Sequence, residues 1–423
     1  MARLLGRGTA SSTITVNNLT VAGTGAELLN AGSGTWTLSG NLNLEADETM
    51  VRAANGTVTV AANLSGLGSM LLVNNTVTLS GNNAAFTGKT VVGDGRFSGL
   101  SIDSEARLGA NPTNFVADQL TLNRGRLYSG NLTIDDANRG IRIGVSAGLF
   151  NVSAGTTTTI AVPLSSPASG SSLVTTPLYP NPVSGMLIKE NTGTLVLTHP
   201  NNSHVGEINI NAGSLTVSGT GRLNNGDQAM PIVNSGTLTF STTADQMVSG
   251  AISGTGPLIK SSTGTLTLSG ANTFSGAMTV SGGKLLVNGV STGAGVVTVA
   301  NGATLGGSGS VGGSVTVQSG ATMSPGTSIG TFTANGSVIL QAGSTNFMEI
   351  NRSTVSSDKL VAGGTLTLGG SLLVTNLAGT LAYGDTFTLF QAGTISGSFS
   401  TISLPTLAAG LKWDTNSLVS GII

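Results

Sequence analysis

The feature that most limits what this chain can fold into is a short strand phrase that returns along its length. Residues 254–289 read GTGPLIKSSTGTLTLSGANTFSGAMTVSGGKLLVNG. Leu266, Thr267 and Leu268 alternate apolar, polar, apolar, the period of a strand with one buried face. Ser269, Gly270 and Asn272 then supply turn chemistry. Met278-Thr279-Val280 and Leu285-Leu286-Val287 run the cycle again, and glycine recurs too often for a helix. Residues 64–97 and 187–215 carry the same phrase, with shorter echoes at 34–40, 236–240 and 364–369. A unit this small cannot bury its apolar face alone, whereas stacked copies bury a column between them. The expected fold is therefore an all-β solenoid. Val77, Leu79, Leu195, Leu197, Leu266 and Leu268 should point inward.

Composition agrees. A single globular core of 423 residues would be unusual, but a solenoid core grows along one axis. Charged residues are 8% of the chain, against roughly 25% in an average soluble protein. With 39% hydrophobic residues and a net charge of −1, the chain has neither the profile of disorder nor a basic footprint for nucleic acid. Cysteine is absent, which fits export through an oxidising compartment. The start, Met1 to Arg7, has positive charge without the apolar run of a signal peptide. No apolar run reaches the ~18 residues of a membrane-spanning helix.

The phrase at 254–287 resembles the autotransporter-associated β-strand repeat of bacterial passenger proteins. Segments 102–109 with 117–123, 136–141 and 324–331 are similar to the flanks of that repeat, and 384–390 through Trp413-Asp414 to the close of such passengers. The resemblance covers most of residues 60–423. It implies a right-handed parallel β-helix with a C-terminal cap, extracellular at the surface of a Gram-negative cell. It implies no catalytic residue, cofactor or metal. The family's translocator barrel is missing after Ile423, so the expectation is either a passenger fragment or export signals that lie outside these residues. The expected divisions are opening irregular rungs at 1–60, repeats at 61–355 with a Pro-rich loop near 162–183, and a capping segment at 356–423. In that cap, Leu389, Phe390, Phe399 and Trp413 would plug the column. With rungs of roughly 20 to 25 residues and strands stacked about 4.8 Å apart, the rod would be about 90 Å long.

Five patterns offer chemistry. Gly307 to Gly312 fits the dinucleotide fingerprint, but that needs a helix afterwards, and Val315-Thr316-Val317 alternates as a strand. Gly326-Thr327-Ser328-Ile329-Gly330 fits the nucleophile elbow. Its nearest histidine, His204, lies 124 residues upstream, roughly 25 to 30 Å away in a solenoid. A structural turn at Pro325-Gly326 is the better reading. His199 and His204 share one turn and read as solvated rather than as metal ligands, since no acid or cysteine lies between them. Outward Thr267, Thr298 and Thr316 could form a flat threonine ladder of the ice-binding kind, or simply suit exposed strands.

The last pattern is the charged segment: Lys89, Asp94, Arg96, Asp103, Glu105, Arg107, Asp118, Arg124, Arg126, Asp135, Asp136, Arg139 and Arg142. Only here could paired carboxylates do glycosidase or lyase work, with Asp94 and Asp118, or Asp118 and Asp136, one rung apart. The interleaved opposite charges favour ion pairs instead. The expectation is a non-enzymatic structural or adhesive passenger. Its partners would be a surface glycan or protein, or further copies of itself along the rod. A polysaccharide-degrading β-helix enzyme and a filament-forming surface-layer component are the rivals.

Overall fold

A computed structural model describes residues 3–23, 25–93, 97–166 and 185–423. Among these, helix is confined to short 3-10 turns such as Glu105–Leu108 and Asn416–Ser420. The chain divides into two compact units, Met1–Asn225 and Gly226–Ile423. Each is a parallel β-solenoid.

In the first unit, Thr35–Leu44, Thr57–Val60, Thr76–Leu79, Ser98–Ser101, Gly125–Ser129, Gly148–Val152, Leu187–Glu190 and Ile208–Ile210 pair in parallel, each with the next. Side chains alternate faces along a strand, so an in-register stack places like positions over one another. Trp36, Val58, Val77, Leu100, Leu127, Phe150, Lys189 and Ile210 fall in one such column, and none is more than 1% exposed. A second sheet stacks Glu27–Asn30, Thr49–Ala53, Met70–Val73, Thr90–Val92, Val116–Leu122 and Arg139–Ile143. The first 60 residues are parallel coils as well: Ser12–Val21 pairs with Thr35–Leu44 through one bulge between Val16 and Leu19.

The second unit repeats the plan. Phe240, Lys260, Val280, Val299, Val317 and Leu340 form one buried column. Val248, Leu268 and Val287 belong to another. Val77, Leu79, Leu195, Leu197, Leu266 and Leu268 are all buried, as the alternation requires. Burying such a side chain contributes about 1.5–3 kcal/mol, and the ladder between coils satisfies the backbone groups that burial would otherwise strand.

Towards the C-terminus, Leu389 and Phe390 are fully buried. The chain end returns over them: the Phe387 N–H donates to Ile423 O at 2.9 Å and the Leu389 N–H to Gly421 O at 2.8 Å. Phe399 sits half-buried against Phe390, ring centroids 5.7 Å apart. Trp413, also half-buried, donates from Nε1 to Pro405 O at 2.9 Å. Phe399 therefore covers the column from outside it, Leu389 and Phe390 fill it, and Trp413 braces the segment at Pro405. Leu164–Ser165 is a strand at the edge of the expected Pro-rich loop. The prolines at 167, 177, 180 and 182 lie outside the described residues, as do Asp94 and Arg96.

Candidate functional site

Among the described residues, the repeated turns carry dense networks of polar contacts. Lys189 and Lys260 sit at inward positions, 0% and 1% exposed, each directly over a phenylalanine of the previous coil. Their stems continue the apolar column while the ammonium reaches its end. Lys189 Nζ donates to Glu190 O (2.7 Å), Asn191 O (2.7 Å) and Ala212 O (3.3 Å). Lys260 Nζ donates to Ser261 O (2.7 Å), Ser262 O (2.8 Å) and Gly282 O (3.1 Å). Asn191 and Ser262 are left-handed, with φ of 61° and 64°, so each lysine ties down the strained corner of its own coil and the turn of the next. Burial pulls both ammonium groups down to about 8. Lys260→Met should lower stability by ~1–3 kcal/mol, because three carbonyls lose their donor. Unchanged urea midpoints would contradict this role.

A second device is a buried asparagine after the next strand. Asn83, Asn202 and Asn272 are at most 2% exposed. Each accepts through Oδ1 from a strand N–H one coil earlier: Leu64 at 3.2 Å, Leu164 at 2.9 Å, Ile252 at 2.9 Å. Each donates through Nδ2 to a carbonyl, Arg107 O, Arg222 O and Gly270 O respectively. The side chain thus replaces a rung of the ladder where the backbone turns away. An aromatic and a glycine follow: Phe86 with Gly88, His204 with Gly206, Phe274 with Gly276.

That alignment corrects the expectation of solvated histidines. His204 is 4% exposed and holds the place that phenylalanine takes in the other two repeats. Its Nε2 meets Gly185 O, and burial draws its pKa down to about 4. His199 is half-buried and accepts the Asn201 N–H on Nδ1 at 3.1 Å. Among the described residues no group of three metal-ligating side chains gathers.

The charged segment resolves into ion pairs. Asp118 lies between Lys89 (2.8 Å) and Arg142 (3.2 Å). Asp103 pairs with Arg107 at 2.7 Å, and that guanidinium holds its carboxyl below the ordinary range. Glu105 accepts from Arg139 Nε at 2.8 Å and from the Asp135 N–H at 2.9 Å, while burial pushes its carboxyl upward. Arg139 is wholly buried and also donates to Leu108 O, Gly109 O and Ala110 O, clamping the excursion that carries Glu105–Leu108. Asp136 accepts the Asn138 N–H within its own turn, so Asp118 and Asp136 serve separate partners.

The two glycine motifs are turns. Gly307 ends strand Thr304–Gly307, and strands Ser310–Val311 and Val315–Val317 follow it. Gly326 has φ of 80°, and Ser328 is exposed. What the sequence did not reveal is the acid that fixes this turn. Asp358, 1% exposed, accepts the Gly330 N–H at 2.9 Å and the Glu349 N–H at 2.8 Å. Burial raises it to about 7 against those two donors. The folded chain then holds a proton here that the unfolded chain has released above about pH 4, so this contribution to stability falls as pH rises from about 4 to 7. The stability difference between wild type and Asp358→Asn should shrink across that window, by on the order of 2 kcal/mol. A constant difference in urea melts at pH 4.5 and 8 would refute it. Thr298 and Thr316 stack in register with Thr279, whereas Thr267 lies on another sheet between Met247 and Leu286, so the three threonines do not share a ladder.

The model of the passenger-associated-transport-repeat matches residues 74–98, 187–217 and 258–287. Each match contains one buried asparagine, one aromatic or histidine and one glycine of the set above. No curated protein matches the chain.

Proposed function

From a chain that carries three passenger-associated-transport repeats in a parallel β-solenoid, we propose a non-enzymatic autotransporter passenger that works at the bacterial cell surface as a structural or adhesive element. The observation that carries this reading is the coincidence of the three matches with the same built turn. The polar investment of the molecule lies in fixing coils, and a stiff array of coils holds weak contact points at fixed spacing, where they add by multivalency. The ion pairs speak for a scaffold role of the charged segment, since a general acid or nucleophile must be able to reach substrate. The function is tested by labelling intact producing cells with an antibody to the solenoid, with and without protease shaving. Labelling lost on shaving is expected. A chain found only inside cells, or polysaccharide cleavage by the purified protein, would overturn the reading.

A further inference from the structure

One face of the first unit carries an outward row of polar and aromatic side chains. Strands Ser98–Ser101, Gly125–Ser129, Gly148–Val152 and Leu187–Glu190 place Ser101, Tyr128, Asn151 and Glu190 in one outward row. Arg126 reaches across the coil of Leu149 to Glu190, giving Nε–Oε2 at 2.6 Å and Nη2–Oε1 at 3.0 Å. Its Nη1 donates to the Tyr128 hydroxyl at 3.1 Å, which leaves the phenol its own proton to donate. Asn151 adds a bond to Glu190 at 3.3 Å. The Tyr128 ring edge fills the space above Gly99, where a β-carbon would come within 2.7 Å of it. At the other end of the same strands the Phe97 ring, 55% exposed, lies under the Arg124 guanidinium at 4.1 Å.

Arg126 and Glu190, 26% and 21% exposed, still present part of their hydrogen-bonding surface to solvent. An open phenylalanine contributes little to stability, in a chain with only 4% aromatic residues. Together they make a recognition chemistry: rings whose faces take the C–H side of a sugar, beside planar groups that give and accept paired hydrogen bonds. We propose that this face binds an oligosaccharide. Tyr128 stacks on one pyranose ring, Arg126, Glu190 and Asn151 hold its hydroxyls, and Phe97 with Arg124 forms a second subsite. The Tyr128 ring lies over Gly99, two residues from Phe97 along the strand direction, about 7 Å, so the two subsites would take neighbouring sugar units. A protein partner would need an apolar centre and roughly 800 Å² of contact, which this row of polar groups does not offer.

The assignment deepens the adhesive reading above and rests on it. The test is affinity electrophoresis of the full chain in gels containing galactomannan, xylan, arabinogalactan or dextran. Retardation in at least one gel is expected, falling at least tenfold in apparent affinity for Tyr128→Ala and for Phe97→Ala, and persisting in Thr298→Ala. Far-ultraviolet circular dichroism melts of each variant separate lost binding from lost fold. Wild-type mobility in every gel, or equal retardation of wild type and a folded Phe97→Ala variant, would overturn the site. Surface labelling without retardation rejects the glycan site alone. Retardation without surface labelling rejects the passenger reading alone.

Discussion

Leu268→Asp should destabilise the chain by about 4 kcal/mol or more, and Thr267→Asp by roughly 0.5–1 kcal/mol. The two positions are neighbours on one strand, Thr265–Leu268, and differ only in the face they present. Leu268 is fully buried between Val248 and Val287 of the adjacent coils. A carboxylate there loses its water and gains only aliphatic neighbours in the column, so it must either protonate or force the coils apart. Thr267 lies between Met247 and Leu286 on the outer face, half-exposed, where a carboxylate keeps its hydration. Urea midpoints of the two variants, measured side by side, decide the matter. Equal losses would mean that the facing of this strand is wrong.

The same alternation explains which parts of the fold could be read from sequence. Leu266 and Leu268 were legible because a strand with one buried face has a period of two. Leu258-Ile259-Lys260 defeats that reading, since the period places the lysine inside and an isoleucine outside. The reason is the left-handed corner at Ser262, whose carbonyl needs a donor that only a long cationic side chain delivers from the core. The signal was present as Leu-Ile-Lys at both 187–189 and 258–260. Asn272 reads in the sequence as an ordinary turn residue, and nothing marks Asn83 or Asn202, because a buried asparagine and a solvated one look alike until the coil beneath is known. His204 could have been found from the glycine two residues later, which aligns it with Phe274. The partnership of Arg126 with Glu190 was beyond reach: 64 positions separate them, and one-rung spacing fails where a long connection intervenes. Asp358 was hidden for a similar reason, 28 positions from the turn it fixes.

Gly276→Ala should cost about 3 kcal/mol, although it adds one methyl group to a turn and leaves every hydrogen-bonding group in place. The repeats do not use this glycine for a special backbone angle. They use it because the coil below comes too close for any side chain. A β-carbon at 276 would lie 2.2 Å from Gly256 O and 2.3 Å from Gly256 C, against ordinary contacts of 3.4–4 Å. Gly256 stands in the same relation to Gly236 O at 1.9 Å, Gly295 to Gly276 O at 2.0 Å and Gly313 to Gly295 O at 2.0 Å. Five glycines thus stack along the second unit, backbone directly upon backbone. The obstacle is a carbonyl held in the ladder rather than the end of a flexible side chain. Relief therefore requires two coils to separate, and the strands on either side resist that through their own hydrogen bonds, such as Leu258 N–H to Ala277 O at 3.0 Å. Gly393→Ala is the control: a β-carbon there meets nothing within 4 Å, and its cost should stay within roughly 0.5 kcal/mol. Urea denaturation of both variants gives the comparison. Matching midpoints for Gly276→Ala and wild type would show that the coils have slack at this corner, and that the glycine column is there for some reason other than close approach.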